Sequence, residues 1–332
     1  MLKRVARALA LVFSLCALAA CAAREPVRAP ELPKKRIGAV IIDMIDPCRV
    51  EFVEAGNEAA ADAGMFVCWK ASGFDVGNQA SYISEFVDRR AHCLLIEPFQ
   101  SEGLTPFIEK AGMSGIPVVT LDGHIETDYN VCALHNDFAD ASAAAKILAH
   151  LAGKSGRIAL ISGKGGNYAA DQRKAGFLAG MQEFCEISVV EFPAEDTPSA
   201  SAAAQGALAK YPDVKALHIA QGAAAPVSME ARGKGVILSA QGGDKDGIAL
   251  VKNGVFAFYV MSGARRAGYW SVRLAAQLAE GQKLPKQLYQ STFFVMSESI
   301  KEKLRAWGLA QGLQILGPMQ AAQVYENCRD PY

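Results

Sequence analysis

Short apolar runs alternate with longer amphipathic stretches along most of the chain. In the first half, from Arg36, these runs lie at 37–42, 65–69, 93–96, 117–121 and 130–134. Helical patterns such as those at 50–64 and 79–90 separate them. Nearly continuous apolar runs are typical of strands covered on both faces, and their alternation with helices predicts βαβ units and a parallel sheet.

The same rhythm starts again at residue 157. The second set of apolar runs lies at 157–161, 187–192, 216–220, 236–240 and 255–260. Helical patterns at 171–184, 199–210 and 247–252 lie between them, and another at 264–280 follows. The sequence therefore predicts two α/β lobes with parallel sheets. The cleft between the lobes would lie at the carboxyl ends of the strands, where open parallel sheets bind ligands.

The first residues have a different pattern. Lys3, Arg4 and Arg7 precede an apolar segment at 8–20 that is short for a membrane span, which is the layout of a secretory signal. Leu18-Ala19-Ala20-Cys21 resembles a bacterial lipobox, which implies that residues 1–20 are a signal peptide and that Cys21 carries a lipid. An ordinary cleaved signal is the alternative. Residues 21–35 contain three prolines among charged residues and predict a tether.

These features place the expected function at the periplasmic face of a bacterial membrane, or at the cell surface of a Gram-positive organism. The 34 basic and 34 acidic residues cancel, and no Lys/Arg run follows the tether, so a nucleic-acid partner is not expected. Six cysteines remain in the body, and their pairing is left open: Cys48, Cys68, Cys93, Cys132, Cys185 and Cys328. No CxxC spacing supports a metal or redox site.

Specific phrases along the chain carry a family resemblance. They are KRIGAV at 35–40, DP at 46–47, GIPVVTLD at 115–122, AADQRKAGF at 169–177, YPDVKAL at 211–217 and VKNG at 251–254. In this order they resemble the type I periplasmic binding proteins, above all the ribose and sugar branch, over residues 36–304. The resemblance implies a first lobe of 36–133 with about 262–290, and a second lobe of 134–261 with part of 291–332. The tail at 306–332 exceeds the family pattern and is left unplaced.

Candidate ligand residues follow the predicted strands of the first lobe. Asp46 precedes Pro47, and its carboxylate suits either a helix cap or a ligand contact. Arg49 adds charge and hydrogen-bond donors, with an exposed helical arginine as the alternative. Asp122 directly follows an apolar run and falls on the family's sugar-binding aspartate, but Gly123 replaces the arginine that usually comes next.

The second lobe supplies further candidates. Asp171-Gln172 resembles the Asp-Gln pair of the furanosyl autoinducer receptors, although Asp171 also suits the first turn of a helix. Gln221, Gln241 and Ser262 follow predicted strands and can exchange hydrogen bonds with a polyhydroxylated solute. An aromatic ring for stacking would have to come from elsewhere, and the candidates are Trp69, Phe99 and Tyr168.

No catalytic motif is present. Ser162-Gly163-Lys164-Gly165-Gly166 lacks the spacing of a phosphate loop, and the histidines are dispersed, so neither an enzyme nor a cofactor is expected. The candidate acids outnumber the candidate bases, which argues against phosphate or dicarboxylate cargo. We expect a monomeric lipoprotein that captures a monosaccharide or related molecule for the permease of an ABC importer. The alternative is a sensor of a furanosyl autoinducer-like or small amine ligand that acts through a partner.

Overall fold

The computed structural model describes residues 35–194, 196–221, 231 and 233–330. The predicted signal peptide, Cys21 and the tether up to residue 34 lie outside the described residues. Within the described ranges, no helix has the length and apolar character needed to cross a membrane.

Strands and helices alternate as the hydrophobic pattern predicts. The strands are β1 (Arg36–Ile41), β2 (Phe66–Ala71), β3 (Cys93–Ile96), β4 (Val118–Leu121), β5 (Asn130–Leu134), β6 (Gly156–Gly163), β7 (Ile187–Ala194), β8 (Val214–Ile219), β9 (Ile237–Gly242), β10 (Phe256–Met261), β11 (Gln287–Tyr289), β12 (Phe293–Met296) and β13 (Ile315–Leu316). The helices are α1 (Pro47–Asp62), α2 (Val76–Asp88), α3 (Thr105–Met113), α4 (Asp137–Leu151), α5 (Tyr168–Met181), α6 (Thr197–Lys210), α7 (Asp246–Lys252), α8 (Ala264–Ala279), α9 (Glu298–Ala306) and α10 (Pro318–Glu326).

The strands form two sheets. The first has the order β11-β5-β4-β3-β1-β2 and its neighbouring strands are parallel. The second has the order β13-β12-β10-β9-β8-β6-β7, in which only β10 and β12 pair antiparallel. The predicted fold class, two α/β lobes with sheets dominated by parallel pairing, is confirmed.

Helices cover both faces of each sheet. In the first lobe, α1 and α8 pack on one face around Phe52 and Val272, and α2 and α3 pack on the other around Ile83. In the second lobe, α4, α5 and α9 enclose a core around Phe177, and the remaining helices enclose one around Tyr259. Central strands such as β3 and β4 are buried on both faces and mostly apolar, whereas the edge strands β2, β7 and β11 are partly exposed.

Glycines bring the main helix pairs into close contact. A Cβ added at Gly268 of α8 would lie 2.1 Å from the carbonyl oxygen of Phe52 in α1. In the second lobe, a Cβ at Gly176 of α5 would lie 2.1 Å from the carbonyl oxygen of Phe138 in α4. Any larger residue would force these helices apart, so each lobe depends on such backbone-to-backbone approaches.

The chain passes between the sheets where strand membership changes. Residues 36–134 and 287–289 supply the strands of the first sheet, and 156–261 and 293–316 supply those of the second. The chain therefore changes sheet after β5, after β10 and after β11. The tail that the sequence left unplaced continues through β13, which pairs with β12, into α10.

Candidate ligand cleft

A cavity of about 200 Å³ lies between the carboxyl ends of the two sheets. The first lobe lines it with Ile42, Asp43, Asp46, Cys48, Arg49, Phe52, Phe74, Glu97, Pro98, Phe99, Leu121, Asp122 and His135. From the second lobe and the segments that follow it come Lys164, Asn167, Ala169, Ala170, Arg173, Asp196, Gln221, Gly242, Gly243, Asp244, Ser262, Ala264 and Ala267. For comparison, an apolar cavity of about 150 Å³ holds one benzene molecule. The space suits one small solute.

The start of α1 places a buried ion pair beside the cavity. Asp46 is the N-cap of α1, and its Oδ1 accepts a hydrogen bond from the Cys48 N–H at 2.8 Å. This cap directs Arg49 toward Glu97, with which it forms an ion pair. Glu97 Oε2 also accepts from the Ile42 N–H at 3.2 Å. Burial raises the pKa of Glu97, although Arg49 opposes that shift.

A second acid–base pair joins β4 and β5 in the same lobe. Asp122 has a φ of 51°, in the left-handed region, and the ring of His135 donates from Nδ1 to its Oδ1 at 2.8 Å. Burial opposes the charge of Asp122, but His135, Arg173 and Arg49 hold the pKa of this carboxyl below its usual range. Burial likewise opposes the charge of His135, and Asp122 raises the pKa of the imidazole. The pair is therefore ionised at moderately acidic pH.

The second lobe holds its own buried pair. Arg173 of α5 donates from Nε to Asp137 Oδ1 at 2.6 Å and from a terminal nitrogen to the Ala220 carbonyl at 3.2 Å. Gln241 donates from Nε2 to the same Asp137 oxygen at 3.1 Å. Burial would lower the pKa of Arg173, but Asp137 raises it. Because Arg173 also lines the cavity, this network fixes a cation in the second-lobe wall.

The lobes touch across the cavity. Asn167 donates from Nδ2 to the Phe99 carbonyl at 3.2 Å, and the Lys164 ammonium lies 6.0 Å from the centre of the Phe99 ring. Phe99 also packs edge to face on Phe74, with ring centres 5.6 Å apart. Phe74, like Asp122, has a positive φ, here 60°. Two non-glycine residues of the cavity wall thus hold backbone conformations that cost free energy, as is common at binding sites.

The structure brings together most of the residues that the sequence singled out. Asp46, Arg49, Asp122, Gln221 and Ser262 line the cavity. Gln241 lies behind the wall, against Asp137. Asp171 and Gln172 are not among the described residues that line it. The exposed Asp171 instead accepts from the Gly166 N–H at 3.0 Å.

Of the candidate rings, Phe99 lines the cavity. Trp69 donates from its indole nitrogen to Asn57 Oδ1 at 2.9 Å, and Tyr168 packs edge to face on His124 with ring centres 5.7 Å apart. Neither of these two rings is among the described lining residues.

Sequence reasoning missed several lining residues. Glu97 and His135 each follow an apolar run directly, so the strand-end rule that found Asp122 would also have found them. Asn167 is the N-cap of α5 and accepts from the Ala170 N–H at 3.0 Å, a role that its place before a helix indicates. Arg173 carries no comparable signal, because only the orientation of α5 turns it toward the cavity.

The cysteines of the described ranges form no disulfide. Cys48, Cys68, Cys93, Cys132, Cys185 and Cys328 are free thiols there. Burial raises the pKa of the Cys48 thiol beside the cavity, which keeps it protonated. No group of three His, Cys, Asp or Glu side chains within those ranges is arranged to hold a metal ion.

Comparison with known families decides the assignment. The sequence profile of the family described as periplasmic binding protein domain matches residues 37–283. The chain belongs to this family. The ribose import binding protein of Bacillus subtilis is 23% identical over 291 residues, which cover 84% of this chain and 94% of that protein. This periplasmic binding protein is therefore similar to sugar-binding, non-enzymatic relatives over nearly its whole described length, and membership in the family places it outside the cytoplasm.

Solved structures share the fold. An ABC transporter periplasmic solute-binding protein from Actinobacillus succinogenes with bound D-allose superposes with a TM-score of 0.73 at 20% identity, covering 81% of this chain and 100% of that chain. A fructose-binding periplasmic domain of a hybrid two-component system gives a TM-score of 0.72 at 20% identity, covering 89% and 98%. These likenesses establish the type I periplasmic binding protein architecture.

Proposed function

We propose that this chain is an extracytoplasmic lipoprotein that captures one monosaccharide, or a similarly polyhydroxylated molecule, for the permease of an ABC importer. The observation that carries the proposal is the small polar cavity at the carboxyl ends of both sheets, with the ionised Asp122 in its wall. A relative that aligns with most of the chain is a ribose import binding protein, which supports a sugar as the ligand.

The lining chemistry suits hydroxyl groups. The carboxylates of Asp46 and Asp122 accept hydrogen bonds, the amides of Asn167 and Gln221 donate and accept them, and Arg49 donates. The rings of Phe74 and Phe99 offer an apolar surface for the C–H face of a sugar. Hydroxyl groups on one solute would therefore meet partners from both lobes.

Charge disfavours anionic cargo. The carboxylates in the wall are Asp43, Asp46, Glu97, Asp122, Asp196 and Asp244, whereas the permanent cations are Arg49, Lys164 and Arg173. Since Arg49 and Arg173 are already committed to Glu97 and Asp137, a phosphate or dicarboxylate would lack a free bidentate partner. A neutral polyol avoids that cost.

Closure follows from contacts made by both lobes. A solute held by Asp122 from the first lobe and by Gln221 from the second stabilises only the conformation in which both reach it. The closed form is then what the permease recognises. Lipidation at Cys21 would hold the monomeric receptor at the membrane while this cycle runs.

Isothermal titration calorimetry of the mature protein tests the proposal. The probes are D-ribose, D-allose, D-fructose, xylitol and myo-inositol, together with mass spectrometry of any solute that copurifies. We expect saturable binding of one of these at one site. Asp122→Ala should weaken it at least about tenfold, because a hydrogen bond to a charged group is lost. Asp213→Ala, which removes an exposed carboxylate of the second lobe, is the matched control.

Two further variants sharpen the site. Ser262→Ala tests a lining residue, and Asp171→Ala tests one that lies outside the enclosed cavity. A tightly bound sugar whose affinity neither Asp122→Ala nor Ser262→Ala changes would exclude the proposed site. For the anchor, Cys21→Ser should release the protein from the membrane fraction and abolish labelling by a radioactive fatty acid.

A sensing role is the second candidate. The excess of wall carboxylates also suits a ligand that carries an amine, and a furanosyl autoinducer-like ligand is the further option. The fold likeness to a periplasmic domain of a two-component system agrees with a sensor. Uptake of the labelled solute separates the two roles: it should fall in a strain lacking this gene if the protein serves an importer, and persist if it serves a sensor.

A further inference from the structure

The C-terminal segment, residues 318–330, belongs to the cores of both lobes. Ala321 and Tyr325 of α10 are fully buried in the second-lobe core. Cys328, only a few residues further on, is buried in the first-lobe core with Phe52 and Val272. The chain therefore passes between the lobes once more, after the crossings that follow β5, β10 and β11.

Polar contacts join the same segment to both lobes at one carboxylate. Glu51, on the first turns of α1, accepts a hydrogen bond from the Tyr325 hydroxyl. The other oxygen of Glu51 accepts from the Lys245 ammonium at 2.5 Å, and Lys245 lies in the second lobe at the start of α7. A single first-lobe side chain is thus held by the tail and by the second lobe together.

The end of the segment is fixed on the first lobe. Arg266 of α8, which is buried, donates to the Asp330 carbonyl. Arg329 pairs with Asp62 at 3.4 Å and lies 5.8 Å from the centre of the Tyr269 ring. Asp62 and Tyr269 belong to α1 and α8, so these contacts bind the tail to the helix pair that covers one face of the first sheet.

The Tyr325–Glu51–Lys245 contact stands directly behind the cavity wall. Lys245 follows Asp244, which lines the cavity, and Glu51 lies on the first turns of α1, near Asp46 and Cys48. Burial raises the pKa of the Tyr325 phenol, as do Glu51, Cys48 and Asp244. The phenol therefore stays neutral and acts as a donor. Tyr325 itself is not among the described lining residues, so it acts on a ligand only through its neighbours.

We propose that residues 318–330 are a clasp that holds the two lobes together beside the cavity, with Tyr325 as the positioning residue that keeps Glu51 against Lys245. Opening the cleft at this point must separate Glu51 of the first lobe from Lys245 and Tyr325, which belong to the second. The clasp therefore raises the closed fraction of the free protein. Its effect on affinity for a sugar rests on the proposed function, since the apparent affinity rises with the fraction of competent protein.

Hydrogen–deuterium exchange of the ligand-free, full-length mature protein tests the clasp. In Tyr325→Phe we expect amides in 43–52 and 242–248 to exchange about tenfold faster than in wild type, because a hydrogen bond to a charged acceptor is lost. Tyr211→Phe is the matched control, since Tyr211 lies in the second lobe away from the contact, and it should leave these amides unchanged. Small-angle X-ray scattering should show a larger radius of gyration for Tyr325→Phe than for wild type. Tyr211→Phe should show no such increase.

Two more variants protect the test from a folding defect at the buried Tyr325. Lys245→Met removes the second-lobe partner of Glu51, and Arg329→Ala removes an exposed anchor on the first lobe. Both should speed exchange of the same amides while the midpoint of chemical unfolding stays close to that of wild type. Wild-type exchange in all three clasp variants would overturn the proposal. The exchange and scattering measurements are made without sugar, so they test the clasp even if no sugar binds in the titrations. Conversely, a failed clasp test would leave the proposed sugar-binding function untouched.

Discussion

Two acid–base pairs flank the first crossing between the lobes, and they differ in their access to water. His135, tied to Asp122, and Asp137, tied to Arg173, are separated only by Asn136. In the first pair the Asp122 side chain is 24% exposed, toward the cavity, whereas in the second the Asp137 side chain is 2% exposed. The first anchors the crossing to the ligand-facing wall, and the second anchors it inside the other lobe.

This difference separates two uses of the same kind of contact. Asp122 keeps an accessible oxygen surface for a solute, and its partner His135 is a titratable group whose pKa Asp122 raises above its usual range. Asp137 shares its Oδ1 between Arg173 and Gln241, and the guanidinium does not titrate near neutral pH. We infer that the first pair tunes binding and that the second holds the crossing in place. The following variants test that inference.

The largest effect is expected from Arg173→Met. This change leaves Asp137 buried without its cation, and breaking a buried pair in this way costs about 3–5 kcal/mol. The free energy of unfolding from urea titrations measures the loss. A change below about 1 kcal/mol would mean that water reaches Asp137 as easily as it reaches an exposed carboxylate.

A smaller loss is expected from His135→Phe. Asp122 would lose its partner, but its contact with the cavity lets water replace part of the interaction, so we expect a cost of about 1–3 kcal/mol. The same urea titrations provide the comparison. If His135→Phe destabilised the protein as much as Arg173→Met, the proposed difference in solvent access between the pairs would be wrong.

The pH dependence of stability distinguishes the pairs further. Asp122 has a lowered pKa, so its contribution is present above the unfolded value of about 3.9 and is lost as pH falls through the folded value. His135 has a raised pKa, so its contribution is complete below about 6.5 and is lost as pH rises through the folded value. The melting temperature of wild type relative to His135→Gln should therefore decline on the alkaline side, while Arg157→Met, which removes an exposed pair away from both groups, should leave that decline unchanged.

His218 should act in the opposite direction. Burial, and then the charge of Arg173, lower its pKa to about 3, and the neutral ring stacks on Phe177 with centres 4.9 Å apart. A histidine with a depressed folded pKa costs stability as pH falls below about 6.5. His218→Leu should reduce the acid-side loss in melting temperature. An unchanged acid limb would indicate that carboxylates alone cause it.

The smallest effect is expected from Arg157→Met. Arg157 pairs with Asp213, whose side chain is 64% exposed, and exposed pairs contribute about 0–1 kcal/mol. This variant is the baseline for Arg173→Met, since both remove an arginine of the second lobe. A loss as large as that of Arg173→Met would show that charge removal itself, and not burial, causes the effect.

Part of the cleft could be predicted from the sequence by one rule: polar residues that follow a predicted strand line the binding edge of the sheet. It located Asp46, Asp122, Gln221 and Ser262, because a polar residue after an apolar run lies at the carboxyl edge of a parallel sheet. The same rule, applied to every run, would have added Glu97 and His135. It did not lead to Arg173, which lies within a helix where local pattern does not specify the facing neighbour.

The sequence by itself determined the two-lobed α/β fold and the position of the cleft, because hydrophobic periodicity and strand-end residues are local signals. The family was indicated separately, by the resemblance that a series of ordered phrases carries. Tertiary structure alone decided the partners across the site. The contact between Glu51 and Tyr325 joins positions 274 residues apart. Which acid meets which base, and that the tail returns to both lobes, depends on how helices pack on the sheets, and residue spacing along the chain carries no record of that packing.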